Sequence, residues 1–191
     1  EVLAAQAKPM LPHRSKEFEE IFRRTEEKAK KVFYTNGLVF QVSGSGTALQ
    51  EAGIRNFVQE SVLACVNGAF SQRWLDVAKT NGKQVDSIEF EWGTPIAPDR
   101  LAEALKQKHY EAVLLVHNET STGVENPVEA LAATVREVSP DTLVMVDAVS
   151  SLSGVKIEMD AWGLDWLLSS SQKCLALPPG LALGSPSARA L

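Results

Sequence analysis

The sequence predicts an α/β fold, a three-layer αβα sandwich built on a mostly parallel central sheet. Three observations carry this. The apolar run at 143–146 is unbroken and that at 164–168 is interrupted only by Asp165, neither alternating, as strands buried on both faces require. Strand-like and helix-like segments alternate along the whole chain, which places helices on both faces of a parallel-rich sheet. Polar clusters rich in Gly, Ser and Thr follow several of the strands, where ligands bind in open α/β sheets.

Taken in order, Ser15 is expected to cap a helix. Phe18, Ile21, Phe22, Ala29, Val32 and Phe33 form its apolar stripe at the ~3.6-residue helical period. Residues 38–42 read as a short buried strand, and Gly44-Ser45-Gly46-Thr47 turns into a helix over about 48–58. The next strand covers 62–66. Asn67-Gly68 then opens a helix carrying Phe70, Trp74, Leu75 and Val77. Residues 84–90 alternate like an outer strand, Pro98-Asp99 starts a helix to about Lys108, and 112–116 is again a strand. Asn126-Pro127-Val128-Glu129 combines an expected N-cap, a proline in the first turn and an acid at the third position, beginning a helix to Val138. Strands at 143–146, 164–168 and 181–183 complete the order, with no internal repeat and no low-complexity segment.

Composition bounds the function. A chain of 191 residues, 45% hydrophobic, can bury one core, which suggests one domain with a short appendage. The net charge of −5 argues against a nucleic-acid partner, and the basic run at 28–31 reads as a solvated helix face. No apolar run has the length of a membrane span and no signal-peptide pattern opens the chain, so no membrane partner is expected. Cys65 and Cys174 give no disulfide framework, consistent with a reducing cytosol and a cytoplasmic protein. No metal-ligand set is read.

The chemistry concentrates between Thr142 and Gly180. TLVMVDAVSSLSG delivers Asp147 at the carboxyl end of one strand, and LDWLLSSSQKCLALPPG delivers Lys173 shortly past the end of the next. Alone, such an acid is ordinarily a helix cap and such a lysine is ordinarily solvated. Together they are the two groups that pyridoxal phosphate needs: an amine for a Schiff base with its aldehyde, and an acid to keep the pyridine nitrogen protonated.

SSSQKCLALPPG resembles the lysine segment of class V aminotransferases, fold type I pyridoxal phosphate enzymes, and VDAVSSLSG resembles their aspartate segment. The resemblance is strongest to the alanine–glyoxylate and serine–pyruvate group and runs from about residue 9 to 186. It implies an aspartate-aminotransferase-like large domain over 15–191. It also implies an N-terminal segment over 1–14 that contacts a partner in a homodimer, and a family small domain absent from this chain.

The resemblance also assigns the site. Ser45, Gly46 and Thr47, in a turn whose glycines let N–H groups approach an anion at a helix start, would cradle the cofactor phosphate. Phe70 stands where the family stacks an aromatic, commonly tryptophan, on the pyridine ring; the competing reading is a core phenylalanine. Trp74 reads as core. In HNETSTG, Thr120 would hydrogen-bond the phenolic oxygen, Glu119 and Thr122 would hold the loop, and His117 reads as structural. Val149 and Gln172 complete the cofactor contacts, with Lys173 and Asp147 as the catalytic pair. The activity implied is transfer of an amino group from alanine, serine or aspartate to a 2-oxo acid such as glyoxylate or pyruvate, through a Lys173 Schiff base.

Three alternatives stay open. His13 and Arg14, in PHRSKEF, resemble a phosphoserine aminotransferase segment that serves an anionic substrate across a dimer. A lyase or desulfurase is disfavoured: Gln172 stands where those relatives usually carry histidine, and Cys174 is misplaced for their reactive cysteine, reading instead as a small packing residue. A non-catalytic module that keeps only the fold would not need Asp147, Lys173, Thr120 and the Ser-Gly-Thr turn together.

Overall fold

A computed structural model describes residues 1–191. The elements run α1 (Val2–Gln6), α2 (Lys16–Phe33), β1 (Phe40–Ser43), α3 (Gly46–Phe57), β2 (Ser61–Val66), α4 (Ala69–Thr80), β3 (Gln84–Glu89) and α5 (Pro98–Gln107). They continue with β4 (Ala112–Val116), β5 (Asn118–Glu119), β6 (Val124–Glu125), α6 (Val128–Val138), β7 (Leu143–Asp147), β8 (Trp166–Ser170) and β9 (Leu181–Pro186). Seven strands make the central sheet in the order β1-β9-β8-β7-β4-β2-β3, and β5 pairs with β6 in a separate hairpin. Strands β3, β2, β4, β7 and β8 are mutually parallel, whereas β9 runs antiparallel to both β8 and β1.

The period of two along each strand divides the core between the two faces. Val62, Ala64 and Val66 pack with Leu49 and Ile54 of α3 and Trp74 and Leu75 of α4. Leu63 and Cys65 point the other way, joining Leu101 of α5, Leu131 and Val135 of α6, and Phe33 of α2. All residues of β4 are buried, as the unbroken apolar run requires. Each such Val or Leu contributes about 1.5–3 kcal/mol relative to exposure, so the central strands hold the helices to both faces. No helix is long and apolar enough to cross a membrane.

Several local expectations are corrected. Residues 38–42 do not form a buried strand: β1 is the sheet edge, and Leu38, Phe40 and Val42 are exposed because only β9 covers that side. The stripe of α2 is buried only at Ala29 and Phe33, and Ile21 and Phe22 stand exposed. Asn126 does not cap α6. Its amide instead joins three loops, with Oδ1 accepting from Asn67 Nδ2 and Ile96 N, both at 2.9 Å, and Nδ2 donating to Val116 O at 2.7 Å. The strand expected at 164–168 begins later, at Trp166, because Leu164 and Asp165 turn into it. Ser15 does cap α2, accepting from Phe18 N at 3.2 Å.

The parallel strands bring their carboxyl ends to one edge of the sheet. Five segments therefore converge there: the β1–α3 turn, the start of α4, the β5–β6 hairpin, and the chain just after β7 and after β8. Their convergence makes the site.

Candidate active site

Asp147 ends β7, which pairs with β8 in the register Asp147↔Leu168. Its side chain is 5% exposed, and burial pushes the carboxyl up to about 6 from its ordinary 3.8. Val149 N, donating to Oδ1 at 2.8 Å, and Gln50 Nε2, donating to Oδ2 at 2.6 Å, pull the other way, as does the Arg73 charge; Glu119 adds to the rise. No cationic side chain forms an ion pair with it.

The β1–α3 turn supplies a helix start open to the same space. Ser45 caps α3, its hydroxyl accepting from Ala48 N at 3.3 Å, while Ser45 and Thr47 remain exposed. The uncommitted N–H groups and dipole of this 12-residue helix favour an anion there.

Phe70 is carried by the first turn of α4, and that turn is anchored by a buried carboxylate. Glu119 accepts from Phe70 N at 3.2 Å, from Ser71 N and Oγ at 2.9 Å, and from Ser121 Oγ at 2.7 Å. Burial alone would raise its carboxyl; these donors together outweigh it and hold the group below the ordinary range. Gly68 passes so close to Glu119 that a β-carbon there would overlap its Cγ and Cδ atoms. The Arg73 guanidinium lies 5.0 Å from the centre of the Phe70 ring, and Trp74 is buried in the core with Nε1 donating to Gln50 O at 3.3 Å.

The β5–β6 hairpin leaves no pattern in the sequence because its strands are two residues each. It turns at Gly123, whose φ of +74° suits glycine, and presents Thr120 toward the chain after β7. Thr120 Oγ1 donates to Ser150 Oγ at 2.8 Å, and Asn118 Nδ2 donates to the same oxygen at 2.9 Å. His117 is turned away and buried, with Nδ1 2.8 Å from Ser151 Oγ; burial lowers its imidazole below the usual value despite the Glu125 charge.

These segments enclose a cavity of about 300 Å³. Ser45, Gly46, Thr47, Phe70, Thr120, Asp147, Val149, Gln172 and Lys173 all line it, so the catalytic and cofactor-binding residues expected from the sequence share one space. His13 and Arg14 are exposed and lie outside that lining. Gln50, Arg73, Asn118, Ser150 and Ser170 line it too and were not anticipated. Arg73 sits one helical turn after Phe70 and Gln50 one turn after Gly46, and the i, i+3 and i, i+4 spacing is the signal that could have found both. The Ser170 hydroxyl and Gln50 Oε1 are buried polar atoms without a partner in the chain.

The model of the family described as Aminotransferase class-V matches residues 2–185. An uncharacterized aminotransferase of Methanocaldococcus jannaschii is 39% identical over 193 residues, covering 100% of this chain and 50% of its own. The serine–glyoxylate aminotransferase of Methylorubrum extorquens is 38% identical over 185 residues, covering 94% of this chain and 46% of its own. The crystal structure of an alanine–glyoxylate aminotransferase from Nostoc sp. superposes with a TM-score of 0.94 at 38% identity, covering 99% of this chain and 50% of that one. The chain thus spans about half the length of the curated relatives it matches. With a family match along nearly its whole length, the chain belongs to the class-V aminotransferases.

Proposed function

We propose that this chain is the cofactor-binding large domain of a pyridoxal phosphate-dependent aminotransferase. The enzyme would move an amino group from a small amino acid, alanine, serine or aspartate, to a 2-oxo acid such as glyoxylate or pyruvate. The observation that carries the reading is that Asp147 and Lys173, delivered by adjacent parallel strands, line one cavity whose far wall is the N-terminus of α3.

The residues present fit the cofactor. Asp147 is a buried carboxylate without a cationic partner, which suits a protonated ring nitrogen. Gly46 is closed against Val149, so the chain approaches the cavity with backbone where a side chain would obstruct it. The partnerless Ser170 hydroxyl is a donor awaiting an acceptor. Ser45, Gly46 and Thr47 would hold the phosphate, Phe70 and Val149 the ring, and Thr120 the phenolic oxygen.

When bound, pyridoxal phosphate supplies an electrophilic aldehyde and an electron-accepting ring. The protein supplies the rest. Lys173 Nζ would hold the cofactor through its aldehyde and, freed when a substrate amine takes its place, would carry the proton from the substrate α-carbon to the former aldehyde carbon. Asp147 would hold a proton at the ring nitrogen. The Glu119 anchor keeps Phe70 in place through its hold on the first turn of α4. The names of the relatives, serine–glyoxylate and alanine–glyoxylate aminotransferase, support the donor and acceptor classes. The exposed Leu3, Met10, Ile21 and Phe22 support a homodimer formed through residues 1–14 and the start of α2.

The deciding experiment is the near-visible absorbance of the full-length protein with added L-alanine, L-serine or L-aspartate. A cofactor band that one donor removes and glyoxylate or pyruvate restores establishes the transfer and names the donor. A protein that stays colourless after incubation with pyridoxal phosphate refutes the proposal.

A further inference from the structure

Gln50 holds Asp147 in a way that the orientation of its amide makes informative. Nε2 donates to Asp147 Oδ2 at 2.6 Å, while Val149 N donates to Oδ1 at 2.8 Å. Each carboxylate oxygen so receives one donor from the chain and keeps a further lone pair for the cavity. The Gln50 side chain is 2% exposed, and its Oε1 has no donor at all. Leaving that acceptor unmade is a cost the fold tolerates. Turning the amide over would set Oε1 against a carboxylate oxygen, which is repulsive while Asp147 is ionised and favourable once it is protonated. The amide as placed donates an N–H to the carboxylate, which favours its ionised form.

The support behind this amide is rigid. Gln50 lies inside α3, and its carbonyl accepts from Trp74 Nε1 of α4, so two packed helices fix its position. Of the other charged groups, Arg73 favours ionisation and Glu119 opposes it as burial does, while Lys173 lines the same cavity. Among these, Gln50 is the side chain that donates directly to the carboxylate.

We propose that Gln50 is a positioning residue whose amide keeps Asp147 ionised and aimed at the cavity, and thereby sets the pH range over which the site accepts a protonated pyridine ring. The inference rests on the proposed function and adds to it a determinant of cofactor affinity.

The test is pyridoxal phosphate affinity of the full-length apoprotein, read by tryptophan fluorescence between about pH 6 and pH 8.5, with Gln50→Leu and Gln50→Glu compared with the unmodified protein. Because the ring's own titration is common to all three, the ratio of dissociation constants isolates the protein. Gln50→Leu should bind roughly tenfold more weakly at the acid end and within about threefold at the alkaline end, as loss of a hydrogen bond to a charged group requires. Gln50→Glu, which sets a second carboxyl group beside Asp147, should shift the weakening further toward alkaline pH. A ratio that stays constant across the range, whether at unity or at a uniform loss, overturns the positioning role. Failure of the unmodified protein to take up pyridoxal phosphate would instead overturn the proposed function, and it is seen before any variant is compared.

Discussion

Gly46 and Val149 are in such close approach that a β-carbon on Gly46 would collide with the Cγ2 methyl of Val149. The contact joins the first residue of α3 to the residue two beyond Asp147, so it sets how near the helix start lies to the buried acid. Gly46→Ala should therefore destabilise the protein by about 1–3 kcal/mol through overpacking. It should also weaken pyridoxal phosphate binding, because relief of the clash moves the α3 N-terminus or the Asp147 loop. Urea unfolding of the apoprotein and a cofactor titration check the two effects separately.

Asp147 is held in its site at the expense of stability. Its carboxyl titrates at about 6 in the folded chain against 3.8 for the free group, so the unfolded chain releases the proton at lower pH than the folded one. The cofactor-free fold accordingly loses stability as pH rises from about 4 to 6, and carries the full penalty above that. Asp147→Asn should stabilise the apoprotein by about 1–3 kcal/mol near neutral pH and flatten that part of the pH profile. The same variant should lose nearly all aminotransferase turnover. A thermal-shift series across pH, beside the activity of the reconstituted enzyme, tests both halves.

Glu119 behaves oppositely. Its hydrogen bonds lower the carboxyl below 4.5, so its contribution is present above the ordinary carboxylate range and is lost as pH falls through the lowered value. Glu119→Gln replaces one acceptor oxygen with an NH₂ facing backbone donors, and should cost about 1–3 kcal/mol with a shallower acid-unfolding limb. Because Phe70 N is among the donors released, cofactor affinity should also fall. Acid titration followed by circular dichroism, with a cofactor titration at neutral pH, reads out both.

If the proposed function is right, Lys173→Ala should retain pyridoxal phosphate noncovalently, since the proposed phosphate cradle, Phe70 and Asp147 are untouched, while turnover is abolished. Borohydride treatment should trap cofactor on the unmodified protein and none on the variant. Substantial activity in Lys173→Ala would count against the assigned role.

Much of this was legible before any coordinates. Unbroken apolar runs such as 112–116 marked the central strands, and β4 occupies those residues. Ser15, followed by a helical stripe, marked the start of α2. The polar segments after the strands marked the candidate site because a parallel sheet must present them at one edge. The failures share a cause. The run at 38–42 is apolar enough for an interior strand, yet its exposure depends on β1 having a neighbour on one side only, and neighbours are not a local property. Asn126 has the chemistry of a helix cap but joins Val116 at the end of β4 and the more distant Asn67 and Ile96.

By itself, then, the sequence determined what depends on local periodicity and on residue type: the αβα architecture, the strand that delivers Asp147, the segment that delivers Lys173, and the turn that starts α3. Only the tertiary structure decided what depends on convergence. It set Gln50 of α3 on the carboxylate of β7, anchored Phe70 through a hairpin carboxylate, and turned His117 away from the cavity. Hydrogen-bond direction and burial act between groups dozens of residues apart, and no spacing along a chain encodes which of them will meet.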